Sequence, residues 1–167
     1  HKIENFLNSY KDTSKLKNVP GIAYKDQEKI FLNDNENFNK DLDKLPFPLW
    51  AKFNLEGYWK AGYSHAPVKK NTKFLPIISS RGCPYRCKFC VSPTLNPEWR
   101  FRSAKNVVDE IEYFNKNLNV SDFHFSDLDP TVSEKRTIEI CKEIIKRKLK
   151  IKWKLSQGTK VETIKNL

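Results

Sequence analysis

Three cysteines lie close together near the middle of this 167-residue sequence. They are Cys83, Cys87 and Cys90, separated by three residues and then by two. Three thiolates in so short a loop can hold one face of a four-iron, four-sulfur cluster, which normally takes four cysteines. One iron then keeps an open coordination position, and an open position is where a bound metal does chemistry. The loop therefore predicts a reactive metal centre.

A zinc site and free thiols are the alternatives for the same cysteines. Structural zinc takes four ligands, commonly supplied by pairs of cysteines two residues apart. Here Cys141, His65 or His124 could complete such a site only through long-range folding. A ferredoxin-type electron carrier is also disfavoured, because the loop lacks a fourth cysteine. The spacing therefore favours the cluster over zinc. Cys141 is expected in the core, because it lies on the apolar face of a predicted helix, where cysteine behaves as a small hydrophobic residue.

The elements around the loop have the pattern of a buried parallel sheet. Residues 74–78 form a continuous apolar run, which is typical of a strand buried on both faces. After the loop, Ser103 is a candidate N-cap for a helix over residues 104–117. A second strand is predicted over residues 122–126, where side chains of different character alternate.

A second helix and a third strand continue this pattern. Thr131 and Glu134 have the spacing of a capping box and predict the start of the helix. Its predicted apolar face consists of Ile138, Cys141, Ile144 and Ile145. Apolar residues alternate with lysines over residues 149–155, which predicts the third strand. The order predicts an α/β fold with a parallel sheet and right-handed crossovers. Because eight such units need about 250 residues, residues 73–167 are predicted to form the first three strands of a partial parallel (β/α) barrel.

Residues 1–72 are predicted to form a connector at the end of an upstream domain. A short helix comes first, followed by a hairpin whose strands are residues 21–24 and 29–32 and whose turn has four residues. Residues 33–72 are predicted to be irregular, since their prolines remove backbone donors. Aromatic anchors are expected along this stretch at Trp50, Phe53, Tyr58, Trp59 and Tyr63.

Composition limits the classes of protein that this chain can belong to. Hydrophobic residues make up 38% of the sequence, which is enough for a packed core. No apolar run approaches the ~20 residues that span a bilayer, and the first residues lack a signal-peptide pattern, so a cytoplasmic protein is predicted. The net charge of +11 is spread along the chain, which argues against nucleic acid as a partner. The initial histidine and the absence of methionine predict an incomplete chain.

The loop and its flanks carry a family resemblance. Arg81-Gly82-Cys83-Pro84-Tyr85-Arg86-Cys87-Lys88-Phe89-Cys90, after an apolar strand, resembles the radical S-adenosylmethionine (SAM) superfamily. The loop sequence is similar to that of the branch whose members carry an upstream cobalamin-binding domain. Further segments that resemble this branch are residues 19–24, 45–48, 100–103, 107–111 and 125–129.

The resemblance implies a cofactor set and a reaction. The open iron of a [4Fe–4S] cluster on Cys83, Cys87 and Cys90 is chelated by the amino and carboxyl groups of SAM. One electron, from a reductant such as flavodoxin or ferredoxin, cleaves SAM to a 5′-deoxyadenosyl radical. The radical then abstracts hydrogen, or methyl transfer follows, on an unknown substrate. Cobalamin is implied only through the upstream domain, because its Asp-x-His-x-x-Gly ligand pattern does not occur in this chain.

The resemblance also implies four SAM-binding residues. Phe89 is expected to place its backbone near the adenine, and Asp127 to accept a hydrogen bond from the methionine ammonium. Ser156 and Gln157, at the end of the third strand, are expected to meet the ribose or carboxylate. The family's motif of two glycines and a glutamate is absent from the second strand. The alternative function is a non-catalytic zinc or iron–sulfur module that binds nucleic acid.

Overall fold

The computed structural model describes residues 2–34, 38–62, 68–69, 72–92 and 98–164. These residues form two compact units, residues 1–40 and residues 41–167. Residues 41–62 thus belong to the same unit as the sheet, and the predicted domain boundary after residue 72 stays a prediction. No helix among the described residues has the length and apolar character needed to cross a membrane.

The first unit consists of two short helices and a hairpin. The helices are α1 (Lys2–Leu7) and α2 (Thr13–Leu16), and the antiparallel strands are β1 (Ala23–Asp26) and β2 (Lys29–Leu32). The predicted four-residue turn is wrong, because pairing continues to Asp26 and leaves a two-residue turn. Gln27, in that turn, has a φ of 51°, the left-handed conformation that such tight turns require.

The second unit begins with a partly helical connector. Short 3-10 helices at Leu42–Lys44 and Trp50–Lys52 precede α3 (Leu55–Ala61), so the prediction of an entirely irregular segment was wrong. The signals that the sequence analysis missed are the two capping residues of α3. The side chain of Asn54 accepts a hydrogen bond from the Gly57 N–H, and Gly62 ends the helix at a φ of 70°.

Two of the predicted aromatic anchors pack against the hydrophobic core of this unit. Trp50 and Trp59 are partly buried there, and Trp59 Nε1 donates to the carbonyl of Phe74 at 2.8 Å. Phe53 and Tyr58 are exposed instead. Tyr63 lies outside the described residues.

A three-stranded parallel sheet is the centre of the second unit. Its strands are β3 (Phe74–Ile77), β6 (Asp122–Phe125) and β7 (Lys152–Leu155), in the spatial order β3-β6-β7. Two shorter strands, β4 (Ser80–Arg81) and β5 (Arg100–Phe101), form an antiparallel pair. This order confirms the predicted α/β fold and its parallel strands.

Helices α4 (Ala104–Leu118) and α5 (Glu134–Lys146) make the two crossovers. The predicted N-cap of α4 is confirmed, since Ser103 accepts a hydrogen bond from the Asn106 N–H at 3.1 Å. The buried core brings together side chains of the sheet, of both helices and of the link between α4 and β6. They are Leu75, Ile77, Val107, Val108, Ile111, Phe114, Val120, Phe123, Phe125, Ile140 and Ile144. Each large apolar side chain in such a core contributes roughly 1.5–3 kcal/mol by burial.

The start and the buried face of α5 differ from the prediction. Ser133 caps the helix by accepting from the Arg136 N–H, so the predicted capping box of Thr131 and Glu134 was wrong. The buried positions of α5 are Arg136, Thr137, Ile140 and Ile144. Ile145 is 74% exposed, because the buried face of the helix is centred on Ile140 and Ile144 and excludes Ile145. Cys141 is only partly buried.

Candidate functional site

The cysteine loop starts at the carboxyl end of β3 and is closed by the β4–β5 pair. Ser80 pairs with Phe101 and Arg81 pairs with Arg100, so both ends of the loop enter one ladder. The loop is therefore held at the carboxyl edge of the parallel sheet, the edge at which barrel enzymes carry their sites.

Gly82 connects β4 to the first cysteine in a conformation that other residues rarely adopt. Its φ is 79° and the residue is buried. A side chain at this position is disfavoured by about 1–2 kcal/mol through backbone strain alone. Glycine at position 82 thus lets the chain leave the ladder directly into Cys83.

The three cysteines are free thiols in one accessible loop. Cys83 is partly buried, whereas Cys87 and Cys90 are exposed. The Cys90 N–H donates to the Cys87 carbonyl at 3.0 Å, which makes a tight turn between these two residues. Hydrogen bonds from Ser92 lower the pKa of Cys90. The bond from its side chain has the larger effect, and the bond from its backbone N–H has the smaller one.

The donor set of this loop fits an iron–sulfur cluster. Three thiols with no disulfide are soft ligands of the kind that such clusters take. Among the described residues, no group of three or more His, Cys, Asp or Glu side chains is arranged to hold a metal ion. The structure thus places Cys83, Cys87 and Cys90 in one loop without bringing their sulfur atoms into a common metal-binding arrangement.

Asp127 lies directly beneath the start of this loop. Its carboxylate is 1% exposed and accepts hydrogen bonds from the Ser79 N–H at 3.2 Å and the Ser79 hydroxyl at 2.9 Å. The Ser80 hydroxyl donates to it at 2.6 Å. These bonds fasten the β3–β4 link to the end of β6. The predicted contact of Asp127 with the SAM ammonium stays a prediction.

The other three predicted SAM-binding residues have different degrees of exposure. The Ser156 N–H donates to the Phe125 carbonyl at 2.8 Å, which extends the β6–β7 pairing to the carboxyl edge. The Ser156 hydroxyl oxygen is buried and makes no hydrogen bond within the described part of the chain. Gln157 is exposed, and Phe89 is 93% exposed. Their contacts with SAM stay predictions.

A buried arginine that the sequence reasoning missed also anchors the loop. Arg136 is 4% exposed and donates from Nη2 to the Ser79 carbonyl at 2.7 Å and from Nε to the Arg102 carbonyl at 2.8 Å. Its guanidinium carbon lies 5.6 Å from the centre of the Phe101 ring. Burial lowers the pKa of Arg136. The available signal was its place at the start of α5, four residues before the buried Ile140.

A second buried arginine holds the strand that leaves the loop. Arg102 forms an ion pair with Glu110 and donates from Nη1 to the Ile78 carbonyl at 3.1 Å. Its Nε donates to Asn106 Oδ1 at 2.6 Å. Burial raises the pKa of Glu110, while the charge of Arg102 acts in the opposite direction. Because a buried carboxylate needs such a partner, the pair fixes the end of β5 against α4.

Comparison with known proteins identifies relatives that match most of this chain. The model of the Radical SAM superfamily matches residues 77–166. The anaerobic magnesium-protoporphyrin IX monomethyl ester cyclase of Rubrivivax gelatinosus is 36% identical over 81% of this chain and 23% of its own length. This chain thus spans about a quarter of the length of that curated relative.

Two solved structures share the fold. The cobalamin-dependent S-adenosylmethionine radical enzyme OxsB, with aqua-cobalamin and S-adenosylmethionine bound, has a TM-score of 0.63 and 25% identity. The match covers 91% of this chain and 21% of OxsB. The radical S-adenosylmethionine methyltransferase TsrM of Kitasatospora setae has a TM-score of 0.62 at 18% identity, over 88% of this chain and 27% of TsrM.

Proposed function

Since the chain belongs to the radical SAM superfamily, we propose that it binds a [4Fe–4S] cluster through Cys83, Cys87 and Cys90 and binds SAM beside it. The observation that carries the proposal is the placement of all three cysteines in a single loop at the carboxyl edge of the parallel sheet. When bound, the cluster supplies the electron that cleaves SAM. The protein's own contribution is to position the two cofactors and to exclude water.

The buried network under the loop supports this positioning role. Asp127, Arg136 and the serines that they contact join the loop's first strand to β6 and α5. Arg102 and Glu110 hold its last strand against α4. Because both ends of the loop are fixed to the sheet and its helices, thiolates carried on the loop keep a constant position relative to the strand ends.

SAM is proposed to lie across the carboxyl ends of β6 and β7. Ser156 supports this placement, since its hydroxyl oxygen is buried at that edge and has no hydrogen-bond partner among the described residues. A buried hydroxyl without a partner costs roughly 1–3 kcal/mol, so a polar ligand group there would be favourable. Phe89 and Gln157 are accessible from solvent and are proposed to contact the adenine and the ribose or carboxylate.

The outcome of the reaction is proposed from the relatives. Similar proteins are named as a cyclase and as a methyltransferase. We therefore propose that the chain takes part in hydrogen abstraction or methyl transfer, with a one-electron reductant such as flavodoxin or ferredoxin as its partner. OxsB binds cobalamin, and a cobalamin-binding domain upstream of this chain is part of the proposal. The cytoplasm is the proposed compartment.

Anaerobic reconstitution with iron and sulfide tests the metal site. We expect about four irons per chain and a broad visible absorption that dithionite bleaches. Cys87→Ala should lose the cluster, whereas Cys141→Ala should keep it, because Cys141 belongs to α5 and not to the cysteine loop. A colourless protein that holds one zinc would contradict the proposal and favour the non-catalytic zinc module. Loss of the cluster in both variants would contradict the ligand assignment.

A further inference from the structure

An aromatic contact joins the middle of the cysteine loop to the segment that follows β7. The Nζ atom of Lys160 lies 4.2 Å from the centre of the Tyr85 ring. Tyr85 lies between Cys83 and Cys87 in the sequence. A cation over an aromatic face is attracted by the negative face of the ring. The contact therefore links the loop to the residues directly after Ser156 and Gln157.

A buried carboxylate holds the backbone of Lys160 in place. Asp129 is 4% exposed, and its Oδ2 accepts a hydrogen bond from the Lys160 N–H at 3.3 Å. Its Oδ1 accepts from the Thr159 hydroxyl at 2.8 Å and from the Thr131 N–H at 3.0 Å. Because Asp129 follows β6 and Thr159 follows β7, one carboxylate ties together the ends of two neighbouring strands.

The backbone carbonyl of Lys160 is also fixed by a hydrogen bond. The Thr163 hydroxyl donates to the Lys160 carbonyl at 2.7 Å, and it lies 2.5 Å from the Thr131 hydroxyl. The Thr131 and Thr159 hydroxyls also contact each other. A lysine whose backbone is fixed on both sides loses less conformational entropy when its ammonium group meets a ring. The network thus presents the Lys160 side chain to Tyr85.

We infer that Lys160 is a positioning residue that, through Tyr85, sets the distance between the cysteine loop and the ends of β6 and β7. The inference rests on the proposed function, in which SAM has to reach the cluster and the strand ends at once. A fixed distance between the cysteine loop and the strand ends would let SAM contact the cluster and the ends of β6 and β7 together. Lys160 acts through Tyr85, and it is assigned no contact with the cluster or with SAM.

SAM affinity of the reconstituted protein, measured by equilibrium dialysis, tests this role. Lys160→Ala and Tyr85→Leu should each weaken SAM binding by about threefold to tenfold, the range expected for loss of a cation–π contact. Iron content should remain at the wild-type level, because the three thiols are unchanged. Lys160→Arg keeps a cation over the ring and should restore wild-type affinity. Lys142→Ala, which removes an exposed lysine of α5, is the matched control.

A metal-free measurement separates this inference from the proposed function. In the cluster-free protein, alkylation of the partly buried Cys83 should be faster in Lys160→Ala than in the wild type and in Lys142→Ala. Equal alkylation rates, or equal SAM affinities in a protein that holds its cluster, would overturn the inference alone. Loss of iron in Lys160→Ala would also overturn it, since the contact would then serve cluster assembly. A wild-type protein that binds no cluster would contradict the proposed function, whatever the alkylation rates show.

Discussion

The guanidinium of Arg136 donates a hydrogen bond from Nη2 to the carbonyl of Ser79, at 2.7 Å. This bond joins the first turn of α5 to the link between β3 and β4, immediately before the cysteine loop. The Arg102 N–H donates to the same carbonyl at 3.0 Å. Arg102, just after the loop, and Arg136, on α5, therefore donate to the same oxygen of Ser79, just before the loop, and this shared acceptor joins the loop's two ends.

Replacement of Arg136 by methionine should destabilise the protein strongly. Methionine keeps much of the side-chain volume but removes the hydrogen bonds to the Ser79 and Arg102 carbonyls. We expect the free energy of unfolding to fall by about 2–4 kcal/mol, measured by urea denaturation. Lys135→Met on the exposed side of the same turn is the control and should change little. Equal stabilities of the two variants would show that the Arg136 bonds do not hold the fold.

Asp127→Asn tests whether this carboxylate has a structural role. Asparagine can present one acceptor oxygen, but its amide would also place a donor against the donors of Ser79 and Ser80. We expect a loss of about 1–3 kcal/mol in unfolding free energy, measured without metal and without SAM. Glu139→Gln, an exposed change of charge on α5, should have little effect. Unchanged stability together with lost SAM binding would instead assign Asp127 to SAM.

Gly82→Ala should impair cluster loading. Both Gly82 and Gly62 have a positive φ, 79° and 70°, so alanine strains the backbone at either position. Gly62 ends α3, where an added Cβ meets no atom within 4 Å, and Gly62→Ala should keep its full iron content. Gly82→Ala should bind less iron after reconstitution, because the strain lies beside Cys83. Equal iron in both variants would contradict this role for the glycine.

Acid should reduce the stabilising effect of Arg147, which bridges α4 and α5. Its Nη1 lies 2.8 Å from carboxylate oxygens of Asp109 and Glu112, and its Nε lies 2.9 Å from Glu143. Burial raises the pKa of Asp109, but hydrogen bonds from Lys105 and Arg147 outweigh it and lower the pKa below the ordinary 3.8. Hydrogen bonds from Lys116 and then Arg147 lower the pKa of Glu112 below 4.5.

Carboxyl groups with lowered pKa values stabilise the fold above their ordinary values, and this stabilisation is lost as the pH falls through the lowered values. Wild-type protein should therefore have a higher urea midpoint than Arg147→Met at pH 7. The difference should shrink below about pH 4, as the carboxylates become protonated. A difference that stays constant from pH 7 to pH 3 would show that Arg147 acts through packing alone.

The sequence was sufficient to predict the parallel sheet because strand and helix periodicities are local. The apolar run at residues 74–78 and the N-cap at Ser103 are each readable within a few residues. The start of α5 was missed because Ser133 and Thr131 both have capping chemistry. Thr131 instead takes part in hydrogen bonds around Asp129, which join residues about 30 apart in the chain. Propensity carries no information about such partners.

The supporting side chains of the candidate site were harder to predict than its cysteines. Cysteine spacing is a local signal, whereas Arg136 acts on Ser79 across 57 residues of sequence. A basic residue on a helix is most often solvated, so its burial becomes apparent only when the sheet and α5 are packed together. The contact of Lys160 with the Tyr85 ring was also unpredictable, because it joins two segments that are far apart in the sequence.

The electron paramagnetic resonance spectrum of the dithionite-reduced, iron-reconstituted protein tests the central claim most directly. We predict the signal of a reduced [4Fe–4S] cluster whose g values shift when SAM is added, because SAM is proposed to bind the iron that has no cysteine ligand. Cys87→Ala should show no such signal. A wild-type spectrum that is identical with and without SAM, or a protein without the cluster signal, would contradict the account.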